Sequence, residues 1–348
     1  MQYSELGRTG LKVSRCCLGT MMWGGGQNTE ADGHAQMDYA LTRGVTFWDT
    51  AEMYAIPPRP ETQGETERII GRWFAKNPGK RQDVILASKV AGRSPMTWLR
   101  KDGSPTSQTR AQIDEAVESS LKRLQTDYID LYQLHWPDRP IRTFGGMTFQ
   151  DYSPDYESFE AILEALQAHI QKGNIRHIGV SNETAWGVMK FVEASERLGL
   201  PRMASIQNAY NLVNRTFELG LAEVAMREQV GLLVYSPVGQ GYLIGKYLDG
   251  QRPPGARTTL FNRGQRYEGP GAEKAIRSYV ELAKARGIAP ETLAIKFCDS
   301  RPFVTSTIIG ASTMEQLKAD IDAFDFEWTS DLETAVDALH YEQPNPCP

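Results

Sequence analysis

Val45-Thr46-Phe47-Trp48-Asp49-Thr50-Ala51-Glu52-Met53-Tyr54 is a short run of β-forming residues that stops at an acid and continues into a polar turn. The design recurs: residues 84–88 run into Lys89, and residues 128–134 run into His135-Trp136-Pro137. Around these three stretches, apolar runs alternate with amphipathic segments from about residue 16 to about residue 325, the rhythm of a parallel sheet with helical crossovers. Strands are expected over 16–18, 45–48, 84–88, 128–134, 175–180, 204–206, 231–235 and 306–309. Helices are expected over 30–43, 65–75, 108–124, 156–171, 184–198, 217–229, 272–286, 291–298 and 313–324. In the segment 108–124, Ile113, Val117, Leu121 and Leu124 recur on one helical face.

Eight strand-and-helix pairs predict an α/β fold, a single (β/α)8 TIM barrel occupying one domain, 1–348. Residues 3–13 lie outside that count and read as an N-terminal hairpin that would plug the barrel bottom, with Gly7 and Gly10 at turns. A long loop, 236–271, follows the seventh barrel strand, and a C-terminal helix is expected over 330–340. Pro344, Pro346 and Pro348 end the chain in a non-helical tail.

Composition narrows the partners. The chain has 348 residues, 41% hydrophobic and 23% charged, as ordinary globular proteins have. A net charge of −5 argues against nucleic acid, which needs a concentrated positive face. No run of 18 apolar residues would span a membrane, and the N-terminus lacks the basic start and apolar stretch of a secretory signal. Cys16, Cys17, Cys298 and Cys347 show no paired spacing and read as reduced, buried thiols, so the expected compartment is the cytoplasm. Oligomeric state has no legible signal.

In a parallel barrel the carboxyl ends of the strands meet at one face, so Asp49, Tyr54, Lys89 and His135 are expected to converge on one pocket. Together they supply what carbonyl reduction requires. Hydride arriving at carbon leaves negative charge on oxygen, and Tyr54 is the expected proton donor. A phenol titrates near pH 10; Lys89 about 4 Å away would bring it toward neutrality, and Asp49 would keep Lys89 charged in a desolvated pocket. His135 would hydrogen-bond the substrate oxygen and assist proton transfer at low pH. Read singly, a strand-end aspartate caps a turn, a histidine before Trp-Pro packs, and a strand-end lysine is solvated; four at consecutive strand ends are not so easily background. No His-x-His pair or carboxylate cluster sits at a strand end, so no metal is expected.

Gly24-Gly25-Gly26 is not the G-x-G-x-x-G fingerprint, which disfavours a Rossmann fold. Instead, Gly19-Thr20-Met21, Asp49 with Tyr54, Lys89, His135, Gly179-Val180-Ser181-Asn182, Gln207-Asn208, Tyr235-Ser236-Pro237 and Ile309-Gly310-Ala311-Ser312-Thr313 resemble the aldo-keto reductases, in order and over essentially the whole chain. Met53-Tyr54 followed by Pro57-Pro58-Arg59-Pro60-Glu61-Thr62-Gln63-Gly64 is similar to the Tas-like bacterial branch of that family. The cofactor segments are also similar to potassium-channel β subunits.

The resemblance implies NADPH lying extended across the barrel mouth. Ser181, Asn182 and Gln207 would hold the nicotinamide carboxamide and Tyr235 would stack on its ring; Ser236, Lys246 and Arg257 would meet the phosphates. Gly19, Thr20, Met21, Asp49, Pro237, Val238, Gly241, Gly310, Ser312, Gln316 and Asp320 complete the implied cofactor site. Ser181-Asn182 also reads as a helix cap before Thr184, and Ser312-Thr313-Met314-Glu315 as a capping box at a helix N-terminus that favours an anion as well, so that both readings hold there at once. Arg252, Arg263 and Arg266 read as a solvated basic loop. Ala319-Asp320 replaces the Glu-Asn frequent in the family, and the basic residue often found at Gly310 or Gln316 is absent, which shifts 2′-phosphate recognition to Lys246 and Arg257.

The expected substrate is a small carbonyl compound, an aldehyde or ketone, against Trp23, Tyr54 and Trp136, with Phe144 and Phe149 completing an aromatic wall or anchoring the 138–153 insertion. Arg59, Arg139 and Arg142 would bind a carboxylate or simply be solvated. An enzyme is the first reading; a protein that holds NADPH as a redox signal with little turnover is the second.

Overall fold

In the computed structural model, which describes all residues except 143, 147 and 150 and the side chain of residue 265, eight parallel strands close into a barrel. The three positions lie in the expected 138–153 insertion. Two short antiparallel strands precede the barrel, β1 (Tyr3–Glu5) and β2 (Lys12–Ser14). The barrel follows as β3 (Cys16–Gly19), β4 (Phe47–Asp49), β5 (Ile85–Val90), β6 (Ile129–Leu134), β7 (Ile175–Ser181), β8 (Met203–Ala209), β9 (Gly231–Tyr235) and β10 (Val304–Ile309). β10 pairs with both β9 and β3 and so closes the ring.

The outer ring holds α1 (Glu30–Thr42), α2 (Glu65–Lys76), α3 (Arg110–Leu124), α4 (Phe159–Gln171), α5 (Ala185–Leu198) and α6 (Leu221–Glu228). A short α7 (Arg257–Phe261) lies in the long loop, followed by α8 (Ala272–Ala285), α9 (Pro290–Asp299), α10 (Met314–Asp322) and α11 (Ser330–Glu342). Side-chain caps set several starts: Thr29 and Asp32 form a capping box, and Ser158 accepts from the Ala161 N–H. That serine starts α4 three residues later than the apolar pattern predicts. The helix expected over 217–229 divides, because Gly220 at φ 148° separates a 3-10 turn, Thr216–Leu219, from α6.

Alternation along the strands divides the core. Leu18, Trp48, Leu86, Tyr132, Val180 and Ile206 pack outward against the helices. Cys17, Phe47, Ala87, Leu131, Leu233 and Ile308 face the interior, where Leu6 and Val13 from the hairpin join them. The hairpin therefore plugs the barrel, as its sequence predicts. At its turn, Gly7 has φ 56°, and an added Cβ would stand 2.5 Å from the Ala204 carbonyl oxygen. No helix among the described residues is long and apolar enough to cross a membrane.

Candidate active site

The barrel's alternation aims the site. Ala87 points inward on β5, so Lys89, two residues on, points inward at the carboxyl end; Gln133 repeats this on β6 after Leu131, and Tyr235 on β9 after Leu233. Asp49 ends β4 with its side chain beside these. Lys89 Nζ lies 2.5 Å from Asp49 Oδ1, 2.8 Å from the Thr50 carbonyl oxygen and 3.4 Å from Tyr54 Oη. Asp49 Oδ2 accepts from Gln133 Nε2 at 3.1 Å and Gln207 Nε2 at 2.8 Å. The His135 ring meets the Tyr54 ring edge-on, with centroids 5.6 Å apart. The four expected side chains thus come together, all 7% exposed or less.

Burial sets their charge states. It pulls the Lys89 ammonium down, but Asp49 and then Tyr54 more than offset this, and the group stays charged with its pKa above the ordinary value. For Tyr54 burial outweighs the pull of Lys89, holding the phenol above its usual range. This corrects the expectation that Lys89 alone brings Tyr54 toward neutrality: Asp49 compensates the ammonium, and the phenol loses hydration. Burial, with Lys89 nearby, holds the His135 imidazole well below its ordinary value, which favours the neutral ring and works against the expected proton transfer at low pH.

A cavity of about 1030 Å³ opens above this floor. All the residues expected for the cofactor line it: Gly19, Thr20, Met21, Asp49, Ser181, Asn182, Gln207, Tyr235, Ser236, Pro237, Val238, Gly241, Lys246, Arg257, Gly310, Ser312, Gln316 and Asp320. Tyr54, His135 and Trp136 line it too, while Lys89 lies beneath. Ser181 Oγ donates to the Gln207 carbonyl oxygen at 2.8 Å. Asn182, at φ 52°, donates to the His135 carbonyl oxygen at 2.9 Å and accepts from Tyr235 Oη at 2.7 Å. The residues expected to hold a carboxamide are therefore bonded to one another and, through Gln207, to Asp49.

The long loop brings cations to the same cavity, folded around a tyrosine cluster in which Tyr242 lies 4.4 Å from Tyr247 and 5.4 Å from Tyr267 between ring centroids. Gly241, at φ 92°, lets the chain pass Lys246; an added Cβ would stand 2.5 Å from Lys246 Cε. Among the described residues Arg257 Nε is buried without a hydrogen-bond partner, and burial, then Arg263, lowers the guanidinium pKa. A cation that has left water without gaining an anion is the donor an incoming phosphate completes. The residues present thus fit a dinucleotide phosphate. At the cavity's edge, burial together with Glu291 pushes the Asp320 carboxyl up to about 7, with Lys246 acting the other way.

Several expectations need correction. Trp23 is outside the cavity wall: it is 1% exposed, packs against Gly33 and Ile69, and donates from Nε1 to Gln36 at 3.1 Å. Its place in the outer apolar layer follows from the turn that links β3 to α1. Phe144 lies 6.3 Å from Trp136 and lines the cavity, whereas Phe149 is 77% exposed against Tyr152. Arg263 and Arg266 line the cavity instead of facing bulk water alone; the Arg266 guanidinium lies beside Tyr235 and Tyr267, and Arg252 pairs with Glu268. Arg139 is paired with Glu183 and not free for a carboxylate.

Both local capping alternatives shift. Thr184, not Ser181 or Asn182, caps α5, and Thr313 caps α10 by accepting from Gln316. Gln316 Oε1 in turn accepts from the Ser312 N–H at 3.0 Å and from the Ser312 hydroxyl at 2.9 Å, so Ser312 is tied to the first turn of α10 but does not cap it. Sequence reading missed Gln133, although its position two residues before His135 put it on the inward face. It also missed Glu52 and Arg100, a buried pair behind Lys89, for which distance along the chain offered no signal.

The sequence matches the aldo/keto reductase family profile over residues 15–340. It is 47% identical to the protein tas of Escherichia coli (strain K12) over 352 aligned positions covering 100% of both chains. It is 33% identical to the uncharacterized oxidoreductase YrpG of Bacillus subtilis, covering 95% of this chain and 94% of that protein. Similarity extends to a probable voltage-gated potassium channel subunit beta of Arabidopsis thaliana, at 28% identity over 93% of this chain and 92% of that one.

Proposed function

The chain belongs to the aldo/keto reductase family, and from that premise we propose that it is an NADPH-dependent reductase of aldehydes and ketones with Tyr54 as the general acid. The observation that carries this reading is the 3.4 Å approach of a charged, fully buried Lys89 to a protonated Tyr54 on the cavity floor. When bound, NADPH supplies the hydride.

The chain's own groups handle the proton. Tyr54 enters the reaction protonated, because burial favours the neutral phenol. As it donates to the carbonyl oxygen, the developing phenolate faces Lys89, and at 3.4 Å and an effective dielectric of about 20 the attraction is about 5 kcal/mol. Asp49 keeps Lys89 protonated throughout, and its own second oxygen is held by Gln133 and Gln207. Neutral His135 beside Tyr54 offers a hydrogen bond to the same oxygen without competing for the proton. Lys246, Arg257, Arg263 and Arg266 are the groups that would hold the phosphates, and Ser181, Asn182 and Gln207 the carboxamide.

Fluorescence titration with NADPH and NADH, followed by NADPH consumption with an aromatic aldehyde, tests the proposal. Tight NADPH binding with repeated turnover is expected. Tight binding without turnover would replace it with the redox-sensing reading, and no binding would overturn both.

A further inference from the structure

We propose that Arg100, acting through Glu52, is a positioning residue that sets the distance between Tyr54 and Lys89. The inference rests on the reading of Tyr54 as the acid. Leaving β4, the segment from Asp49 to Tyr54 wraps over the end of β5. The Thr50 N–H donates to the Ala87 carbonyl oxygen at 2.9 Å and the Glu52 N–H to that of Lys89 at 3.2 Å. Glu52 Oε1 then accepts from the Ala91 N–H at 2.8 Å. Glu52 is therefore bonded to the backbone on both sides of Val90, one residue past Lys89, and Tyr54 follows two residues later.

Arg100 closes the arrangement. Its Nη1 donates to Glu52 Oε2 at 2.9 Å and its Nη2 to Oε1 at 2.9 Å, a two-point contact that fixes the carboxylate plane. The rest of the guanidinium is held as well, Nε by Gln112 Oε1 at 2.9 Å and Nη1 by the Leu99 carbonyl oxygen at 3.1 Å. Both partners are sealed from solvent, with side chains 1% and 2% exposed. An ion pair this deep adds little stability over a well-packed apolar pair, so its contribution lies in the geometry it imposes. The loop that carries Arg100 also carries Arg93, Ser94, Pro95 and Met96 into the cavity wall. One guanidinium thus joins that wall to the acid.

Four variants test this: Arg100→Met, Arg100→Lys, Glu52→Gln, and the double variant Glu52→Leu with Arg100→Met, which removes the buried charge entirely and guards against simple misfolding. Each is melted, titrated with NADPH, assayed for kcat, KM and pH profile, and crystallised. Arg100→Met and the double variant are expected to bind NADPH normally while kcat falls about 10- to 100-fold, more than KM changes, since small displacements at a reacting centre cost that much. The limb of the pH profile set by the acid should move, Arg100→Lys should recover part of the loss, and the Tyr54 Oη to Lys89 Nζ separation should exceed 3.4 Å in the crystals. A folded double variant with the native separation overturns the inference whether or not the protein turns over. Wild-type protein that binds NADPH but reduces no aldehyde overturns instead the reading of Tyr54 as the acid.

Discussion

Tyr54 Oη stands 3.4 Å from Lys89 Nζ, while its ring lies with its centroid 4.9 Å from the same ammonium. The phenol is thus close enough for its anion to be stabilised but is kept neutral at rest by burial. Tyr54→Phe should leave NADPH affinity within about twofold and lower kcat by roughly 10²- to 10⁴-fold, the usual worth of a positioned acid. Near-normal turnover would remove Tyr54 from that role.

Lys89→Met leaves Asp49 buried, with the amide groups of Gln133 and Gln207 as its side-chain donors among the described residues. Breaking a buried pair from one side costs about 3–5 kcal/mol. Urea titration should register that loss, and adding Asp49→Asn should recover part of it. If the single variant is as stable as the native protein, the pair is not the closed unit it looks to be.

Asp320 gives stability a pH dependence. Its folded pKa of about 7 is above the ordinary 3.8, so below about pH 4 the carboxyl is protonated in folded and unfolded chains alike and costs nothing. As pH rises toward 7 the unfolded chain releases the proton first, and stability falls by up to an amount on the order of 4 kcal/mol. Cofactor-free Asp320→Asn should therefore melt higher than the native protein at pH 8 and at the same temperature near pH 4. A constant offset across that range would remove Asp320 as the source.

Lys246→Ala should weaken NADPH about tenfold or more and NADH much less, since one charge-assisted bond is worth roughly 1.5–3 kcal/mol. Equal weakening would show that Lys246 does not read the 2′-phosphate. Arg257→Met, which removes the guanidinium whose Nε has no partner among the described residues, should weaken both cofactors and flatten the salt dependence of binding. Unchanged affinity for both would remove Arg257 as a phosphate contact.

Legibility followed the length scale of each signal. Strand ends were readable because short apolar runs that give way to polar turns near Asp49, Lys89 and His135 are local signals, although β5 runs on through Lys89 to Val90, and the barrel rule then converts strand ends into one site. Thr184 and Gly220 were misjudged because caps and breaks depend on single residues whose competition is decided by packing. Trp23 was misplaced for a different reason: an aromatic in a βα loop can face the cavity or the helix layer, and only the fit against Gly33 and Ile69 chooses. Arg266 was taken for a solvated cation because nothing along the chain shows that a loop of tyrosines folds it back toward Tyr235.

The sequence by itself determined the order of strands and helices, the identities of Asp49, Tyr54, Lys89 and His135, and their arrival at one face, because those depend on periodicity and on the fixed direction of parallel strands. Only the tertiary structure decided the charge states of these groups and the company they keep: that Tyr54 is held neutral, that Gln133 and Gln207 brace Asp49, and that Glu52 and Arg100 seal the rear. Those outcomes come from burial and from contacts between residues as many as 158 positions apart, such as Gln207 with Asp49. Desolvation and distance are properties of the assembled barrel, and no stretch of chain carries them alone.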